Sequence, residues 1–354
     1  MKRKTKIIFA AQDPGGFNTI LPVIKKLKKN KEFLLKIILA NQSRDIAKNQ
    51  GINYQNGNHL TERMIAQIFK KESPNLVFTA TSDGYSLEKK IIKLARKQKI
   101  KTITIIDFWA NYKLRFSDPG TENLAYLPDY ILIIDKLMKK EMTNQGFESK
   151  KIVVTGNPFF DTFSTLNGSC QKEKIISFFS QAYSELYKKG EKRSGCSNEI
   201  QVFGDVVEVL EEFQPKIPLK IKFHPRAKKL NKFDKIIKDS KLNISIEKKM
   251  SAESLIKESK LIIGINSMVL FQAAMMNKPV LSYQPGLKKQ DPLISNRLGL
   301  SQAVYNKKNL YSALKNIFSD RKNKKNRELI KKYTQNNSTQ KVINFITNIL
   351  KNDS

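Results

Sequence analysis

At 354 residues and 40% hydrophobic content, the chain is too long for one ordinary core and apolar enough to fill two, which excludes wholesale disorder. Its formal charge of +33 comes from 65 Lys and Arg against 32 Asp and Glu, yet the cations are dispersed among Asn and Ile through every segment, which describes a basic surface rather than a dedicated nucleic-acid interface. Two cysteines, Cys170 and Cys196, are too few for a disulfide framework, Gln12-Asp13-Pro14 cuts short the N-terminal apolar stretch, and no run approaches the roughly 18 apolar residues of a membrane span. The expected location is the cytoplasm, and the basic surface is compatible with peripheral contact at the inner membrane face.

In chain order, short apolar runs alternate with helix-period segments. The first half reads as strands at Lys6 to Ala11, Leu35 to Ala40, Leu76 to Ala80, Thr102 to Asp107, Tyr130 to Ile134 and Ile152 to Thr155, with helices at Thr19 to Lys29, Ser86 to Lys97 and Leu137 to Gln145. Strands apolar on both faces, separated by amphipathic helices, predict a parallel sheet covered on both sides, a doubly wound α/β pattern. Around Asn157-Pro158 the rhythm stops, and the polar stretch Ser164 to Gln171 reads as a linker. It restarts with strands at Lys174 to Phe179, Leu219 to Phe223, Asn243 to Ile246, Leu261 to Ile265 and Val280 to Tyr283. Helices are expected at about Gln201 to Phe213, Ala252 to Glu258 and Ser267 to Met276. Lys188 to Ser197 reads as a basic loop, and Lys341 to Lys351 as an amphipathic helix that crosses back onto the first domain. The expected organisation is two Rossmann-like domains, 1–160 and 172–330, facing a cleft, followed by the returning segment 331–354.

Candidate chemistry lies where strands end. Lys222-Phe223-His224-Pro225-Arg226 follows one strand, and Gly264-Ile265-Asn266-Ser267 joins another to the helix that begins at Met268. A helix start has unpaired N–H groups and partial positive charge, so it suits phosphate, and His224 and Arg226 offer a proton or a charge to an anionic oxygen. In the first half, Asp13 with Gly15, Gly16 and Asn18 follows the opening strand; Asp83 and Asp107 follow two others. The carboxyl ends of parallel strands line one edge, so the three acids converge there, and at least one is expected to act as general base toward an acceptor hydroxyl. The alternative for each is a helix cap. The glycine pair is either a tight turn or a ligand-contacting loop. Trp109, the one tryptophan, is a candidate either to stack on a sugar ring or an acceptor or simply to pack, and Arg115 to pair with an anionic group of the substrate. G-x-G-x-x-G, a Walker lysine and G-x-S-x-G are all missing, and no His pair, Cys pair or tight carboxylate cluster suggests a metal; neither metal nor cofactor is expected.

At these residues the chain resembles the GT-B superfamily of nucleotide-sugar glycosyltransferases and the related UDP-N-acetylglucosamine 2-epimerases, to about residue 315. Val153 to Asp161 is similar to the interdomain segment of epimerases and lipid-A-disaccharide synthases, and Gln12 to Gly16 to the acceptor-side loop of the latter, with Asp13 the matching acid. Lys222-Phe223-His224-Pro225 resembles the His-Pro motif of bacterial sialyltransferases and CDP-glycerol glycerophosphotransferases, where the His contacts the donor phosphate. Ser82-Asp83-Gly84 partly matches the acidic motif that supplies the sialyltransferase base, with Ser in place of the first acid. Asn266-Ser267, with Gln272 where a ribose-binding Glu is common, is similar to the donor-binding helix start. The resemblance implies an acceptor-side first domain, a donor-side second domain and a metal-independent transferase of surface polysaccharide or glycolipid assembly. Its donor would be a CMP-, CDP- or UDP-activated sugar, its acceptor a glycan or lipid-linked hydroxyl. The other activities it leaves open are a nucleotide-sugar 2-epimerase of the same fold and, from charge alone, a nucleic-acid-binding protein.

Overall fold

The computed structural model describes residues 4–163, 175–183, 198–213, 216–224, 227, 231–319 and 326–352. The chain forms two compact units: Met1–Thr162 with Tyr333–Ser354, and Phe163–Lys332. The expected linker Ser164 to Gln171, the basic loop Lys188 to Ser197 and both cysteines lie outside the described residues.

In the first unit, seven strands form one parallel sheet: β1 (Thr5–Ala11), β2 (Phe33–Leu39), β3 (Gln55–Asn56), β4 (Leu76–Thr79), β5 (Lys101–Ile105), β6 (Tyr130–Ile133) and β7 (Ile152–Val154), in the order β3-β2-β1-β4-β5-β6-β7. Its helices are α1 (Pro14–Leu27), α2 (Ser43–Asn49), α3 (Glu62–Glu72), α4 (Leu87–Lys97), α5 (Tyr112–Phe116) and α6 (Lys136–Asn144). The strands are apolar on both faces because both are covered. Phe9 and Ile7 join one cluster with Phe17 and Ile24 of α1, while Ile8 and Ala10 join the other with Ile91 and Ala95 of α4. The hydroxyls of Thr79 and Thr104 satisfy each other at 2.7 Å inside the sheet. Helix starts follow capping chemistry: Thr61, Ser86 and Asp135 accept from the N–H groups of Met64, Lys89 and Met138.

In the second unit, a six-stranded parallel sheet has the order β10-β9-β8-β11-β12-β13. Its strands are β8 (Ile175–Phe179), β9 (Leu219–Lys222), β10 (Ile244–Ile246), β11 (Ser259–Gly264), β12 (Val280–Tyr283) and β13 (Gln302–Val304). Around it lie α7 (Glu199–Phe213), α8 (Asp234–Asp239), α9 (Ala252–Glu258), α10 (Met268–Met275), α11 (Ile294–Arg297) and α12 (Lys308–Phe318). Phe203 of α7 packs between Phe178 and Phe233, with ring centroids 4.9 and 5.5 Å away.

The chain ends with α13 (Asn326–Thr334) and α14 (Ser338–Asn352). Val342, Ile346 and Ile349 of α14 enter the apolar cluster of the first unit with α1, each burial contributing roughly 1.5–3 kcal/mol. Asp161, in the 3-10 turn Pro158–Thr162, accepts from the backbone N–H groups of Ser338 and Thr339 at 3.0 and 2.7 Å, so the start of α14 is capped by a residue far back in the chain. Gly156 just before that turn has φ +85°, and a side chain there would overlap Ser338. None of the helices among the described residues is long and apolar enough to cross a membrane.

Candidate functional site

In a doubly wound sheet the loops diverge where the strand order reverses, and ligands settle at that edge. In the first unit this point is between β1 and β4, which pair directly. Asp13 follows β1, Thr81 to Ser86 follow β4, and Asp107 follows the next strand, β5. The three candidate acids thus lie along one edge, and Arg115 binds them together electrostatically. Its Nη1 donates to Oδ1 of Asp107 at 2.7 Å and to the Thr81 hydroxyl at 2.6 Å, and Nε donates to the Ala110 carbonyl at 3.0 Å. Burial works against the charge on Arg115, but Asp107, then Asp83 and Asp13, outweigh it and hold the guanidinium above its ordinary pKa. Arg115 therefore faces the chain's own acids and holds Asp107.

The glycine pair is not a turn of positive φ. Helix α1 begins at Pro14, five residues before the expected Thr19, because proline is pre-set for a first turn and Asp13 supplies the extended residue before it. Gly15 and Gly16 lie inside that turn, neither having positive φ. Their value is close approach: a Cβ on Gly15 would collide with Oδ2 of Asp107, and one on Gly16 would lie 2.6 Å from Cβ of Ala80. Asn18 is half-buried in the same helix.

Of the two readings of Trp109, the structure shows packing. The indole is 2% exposed, stacks on Phe160 at 6.1 Å, meets Tyr333 edge-on, and donates from Nε1 to Asp135 at 3.1 Å. The exposed members of the region are Asp83, which accepts from Nδ2 of Asn111 at 3.2 Å, and Tyr85, 83% exposed.

Two residues that sequence reasoning passed over shape this edge. Glu88, fully enclosed in α4, accepts from the Gln12 N–H at 2.8 Å and the Ser82 hydroxyl at 2.9 Å. Lys89 donates from Nζ to the carbonyls of Gly84, Leu114 and Ser117 at 2.7–2.9 Å, pinning the Asp83 loop to the segment around α5, and burial lowers its pKa. The available signal was Glu88 lying on the apolar stripe of Ile91, Ile92 and Ala95 at helical spacing.

In the second unit the order reverses between β8 and β11. Asn266 and Ser267 follow β11, while His224 follows β9, on the other side of β8. The strand ends carrying them are therefore on the same edge, two strand spacings or roughly 10 Å apart. Gly264 makes the corner: a Cβ there would lie 3.0 Å from the Phe179 carbonyl and 3.2 Å from Leu270. Ser267 occupies the cap position of α10, but its side chain makes no capping bond, and its buried Oγ has no hydrogen-bond partner among the described residues. Asn266 is tied differently. Its Oδ1 accepts from Gln181 at 2.9 Å and from Tyr183, and its Nδ2 donates to Gln284 at 3.2 Å, which in turn donates to Asp291 at 2.9 Å. Asn266 thus braces the loops after β8, β11 and β12. Met268 and Gln272 are half-buried in α10; Pro225 and Arg226 lie outside the described residues. Among the described residues no group of His, Cys, Asp and Glu is arranged to hold a metal ion.

No protein-family profile matches the chain. Over 219 residues it is 25% identical to the teichoic acid glycerol-phosphate primase of Bacillus subtilis strain 168, a match covering 58% of this chain and 53% of that protein. The chain spans about half the length of that curated relative. Among solved structures it is similar to the UDP-GlcNAc 2-epimerase of Neisseria meningitidis bound to UDP-GlcNAc, with a TM-score of 0.71 and 15% identity over 97% of this chain and 100% of that one. It is also similar to the glycotransferase of kitacinnamycin, with a TM-score of 0.64 and 12% identity over 98% of this chain and 100% of that one. The chain has the GT-B fold. At these identities the structural likeness carries the fold and no more.

Proposed function

We propose that the chain is a GT-B transferase that moves a glycosyl or polyol-phosphate group from a nucleotide-activated donor to a hydroxyl acceptor, in the assembly of a bacterial cell-surface polymer. The observation that carries the reading is the buried hydroxyl of Ser267, which has no hydrogen-bond partner among the described residues, at the N-terminus of α10 on the sheet edge that also presents His224. A donor phosphate supplies the missing partner, and the unpaired N–H groups of the helix start add positive potential. The likeness to a teichoic acid primase and to an epimerase bound to UDP-GlcNAc supports a nucleotide-activated donor and a cell-wall polymer.

In this reading Asp83 is the general base. It is the exposed member of the acid cluster, whereas Asp107 is engaged by Arg115. Asp83 takes the proton of the acceptor hydroxyl as that oxygen attacks the anomeric carbon, and the bond from that carbon to the donor phosphate breaks. Ser267, His224 and the start of α10 take up the charge on the departing phosphate, so the protein's own dipoles and cations do the work. For a polyol-phosphate donor, attack is at phosphorus and the same groups serve.

The test is a thermal-shift panel of CMP, CDP, UDP and GDP, because a ligand that binds only the folded chain raises its apparent stability. One nucleotide of the set is expected to raise the melting temperature; no shift with any of them overturns the reading. The whole-chain likeness to epimerases supports a second reading, separated by incubation with UDP-N-acetylglucosamine alone: turnover without acceptor is epimerisation. Duplex or single-strand affinity that persists at physiological salt would instead favour nucleic-acid binding.

A further inference from the structure

Glu88 is a buried titratable group of the first unit that the reaction above leaves unused. Its Oε1 accepts from the Gln12 N–H and the Ser82 hydroxyl; Gln12 directly precedes Asp13, and Ser82 directly precedes Asp83. Gln12 closes the tie from its own side, its Oε1 accepting from the Leu87 N–H at 3.2 Å. One carboxyl oxygen therefore joins the two loops that carry two of the three acids. The other oxygen, Oε2, is buried and has no hydrogen-bond partner among the described residues. An ionised carboxylate with one oxygen enclosed and undonated is costly, and a neutral carboxyl is much less so. Burial, and then the charge of Asp13, push Glu88 up to about 7, against the hydrogen bonds from its own backbone, Ser82 and Gln12.

Asp13 acts on Glu88 from the loop after β1, and Lys89, on its own helix, is held by three carbonyls. Of the elements packed on α4, α3 brings Glu62, which pairs with Lys93 at 2.7 Å, and β5 has its one charged residue, Lys101, at the opposite end. The paired stretches of β1 and β4, Ile7 to Ala10 and Leu76 to Thr79, carry none.

We propose that Glu88 is the positioning residue of the acid cluster: as a neutral carboxyl it clamps the loops of Asp13 and Asp83 together, and ionising it there costs the fold the burial of a charge on the enclosed, undonated Oε2. What the cluster then catalyses rests on the transferase reading above.

Two measurements test this. The first is thermal unfolding across pH 4–8 for the full chain and for Glu88→Gln, and it needs no substrate. A carboxyl whose folded pKa lies above the ordinary value of 4.5 contributes fully below that pH and loses its contribution as pH rises toward 7. The folding equilibrium of the parent chain is expected to fall roughly 300-fold more across this window than that of Glu88→Gln. Equal pH dependence in the two overturns the neutral clamp. The second is turnover with donor and acceptor. Glu88→Ala is expected to lower kcat roughly 10- to 100-fold while nucleotide affinity stays within about twofold, and Glu88→Gln, which keeps an acceptor oxygen for Gln12 and Ser82, recovers most of it. Equal impairment of the two variants overturns the positioning role. If Glu88→Ala does not fold, Glu88→Asp, which keeps the carboxyl and loses the reach, takes its place beside Glu88→Gln. If the parent chain turns over no donor, the transferase reading fails, and the pH series alone decides Glu88.

Discussion

The first turn of α1 passes so close to Asp107 that a methyl group on Gly15 would overlap Oδ2 of that carboxylate. Since Gly15 is helical, alanine there carries no backbone penalty and by propensity alone stabilises the helix by about 1 kcal/mol. Gly15→Ala is nevertheless expected to destabilise by about 1–3 kcal/mol through overpacking and to disturb the bond from Arg115. Denaturant unfolding of Gly15→Ala in the parent and in an Asp107→Ala background checks this: with the carboxylate gone, the glycine substitution becomes neutral or stabilising.

The two acids nearest the proposed chemistry differ in what holds them. Asp83 is exposed, and Asp83→Asn is expected to change stability by no more than about 0.5 kcal/mol while lowering turnover roughly 10²- to 10⁴-fold. Asp107→Ala strands the guanidinium of Arg115, whose side chain is 11% exposed, and is expected to cost about 3–5 kcal/mol. Melting curves alongside initial rates separate the two; a large loss of stability in Asp83→Asn would mark it as a structural residue.

Ser267 and its neighbour make a similar contrast in the second unit. Removing a buried hydroxyl that has no partner among the described residues leaves stability unchanged or slightly raised, so Ser267→Ala should bind nucleotide more weakly, by roughly tenfold, without a fall in melting temperature. Asn266→Ala removes the shared partner of Gln181, Tyr183 and Gln284 and is expected to cost about 2–3 kcal/mol. Calorimetric titration with the nucleotide found in the thermal-shift panel reads the first, and chemical denaturation the second.

Asp161→Ala leaves two N–H groups and the Thr339 hydroxyl at the start of α14 without their acceptor, and is expected to cost about 1–2 kcal/mol. Hydrogen exchange should show faster opening in α14 and in the α1 residues beneath it, leaving the second unit unaffected.

The parallel α/β architecture was legible because strands covered on both faces leave uninterrupted apolar runs, as in Ile7 to Ala11 and Leu76 to Thr79. Elements at sheet margins were not. β3 is two residues long and polar, and α3 carries only Ile65 and Phe69 into the core. That Asp13, Asp83 and Asp107 follow strands along one sheet edge was also legible, since strand ends can be counted. What each side chain does there was not. The inward turn of Trp109 depends on Asp135 and Tyr333, which are remote in sequence, and the engagement of Arg115 depends on Thr81 as well as the nearby Asp107. Glu88 escaped notice because an acid early in a helix ordinarily answers to the helix dipole, whereas here it reaches back to two loops.

The clasp between Asp161 and the head of α14 closes a span of 177 residues. During synthesis at roughly 5–20 residues per second, the first sheet emerges roughly 10–35 s before the segment that completes its apolar surface. Through that interval the α1 side of the nascent domain stays uncovered while the second unit is made, so a holding chaperone, or a tethered peptide of the α14 sequence, should raise the yield of native chain when translation is slowed.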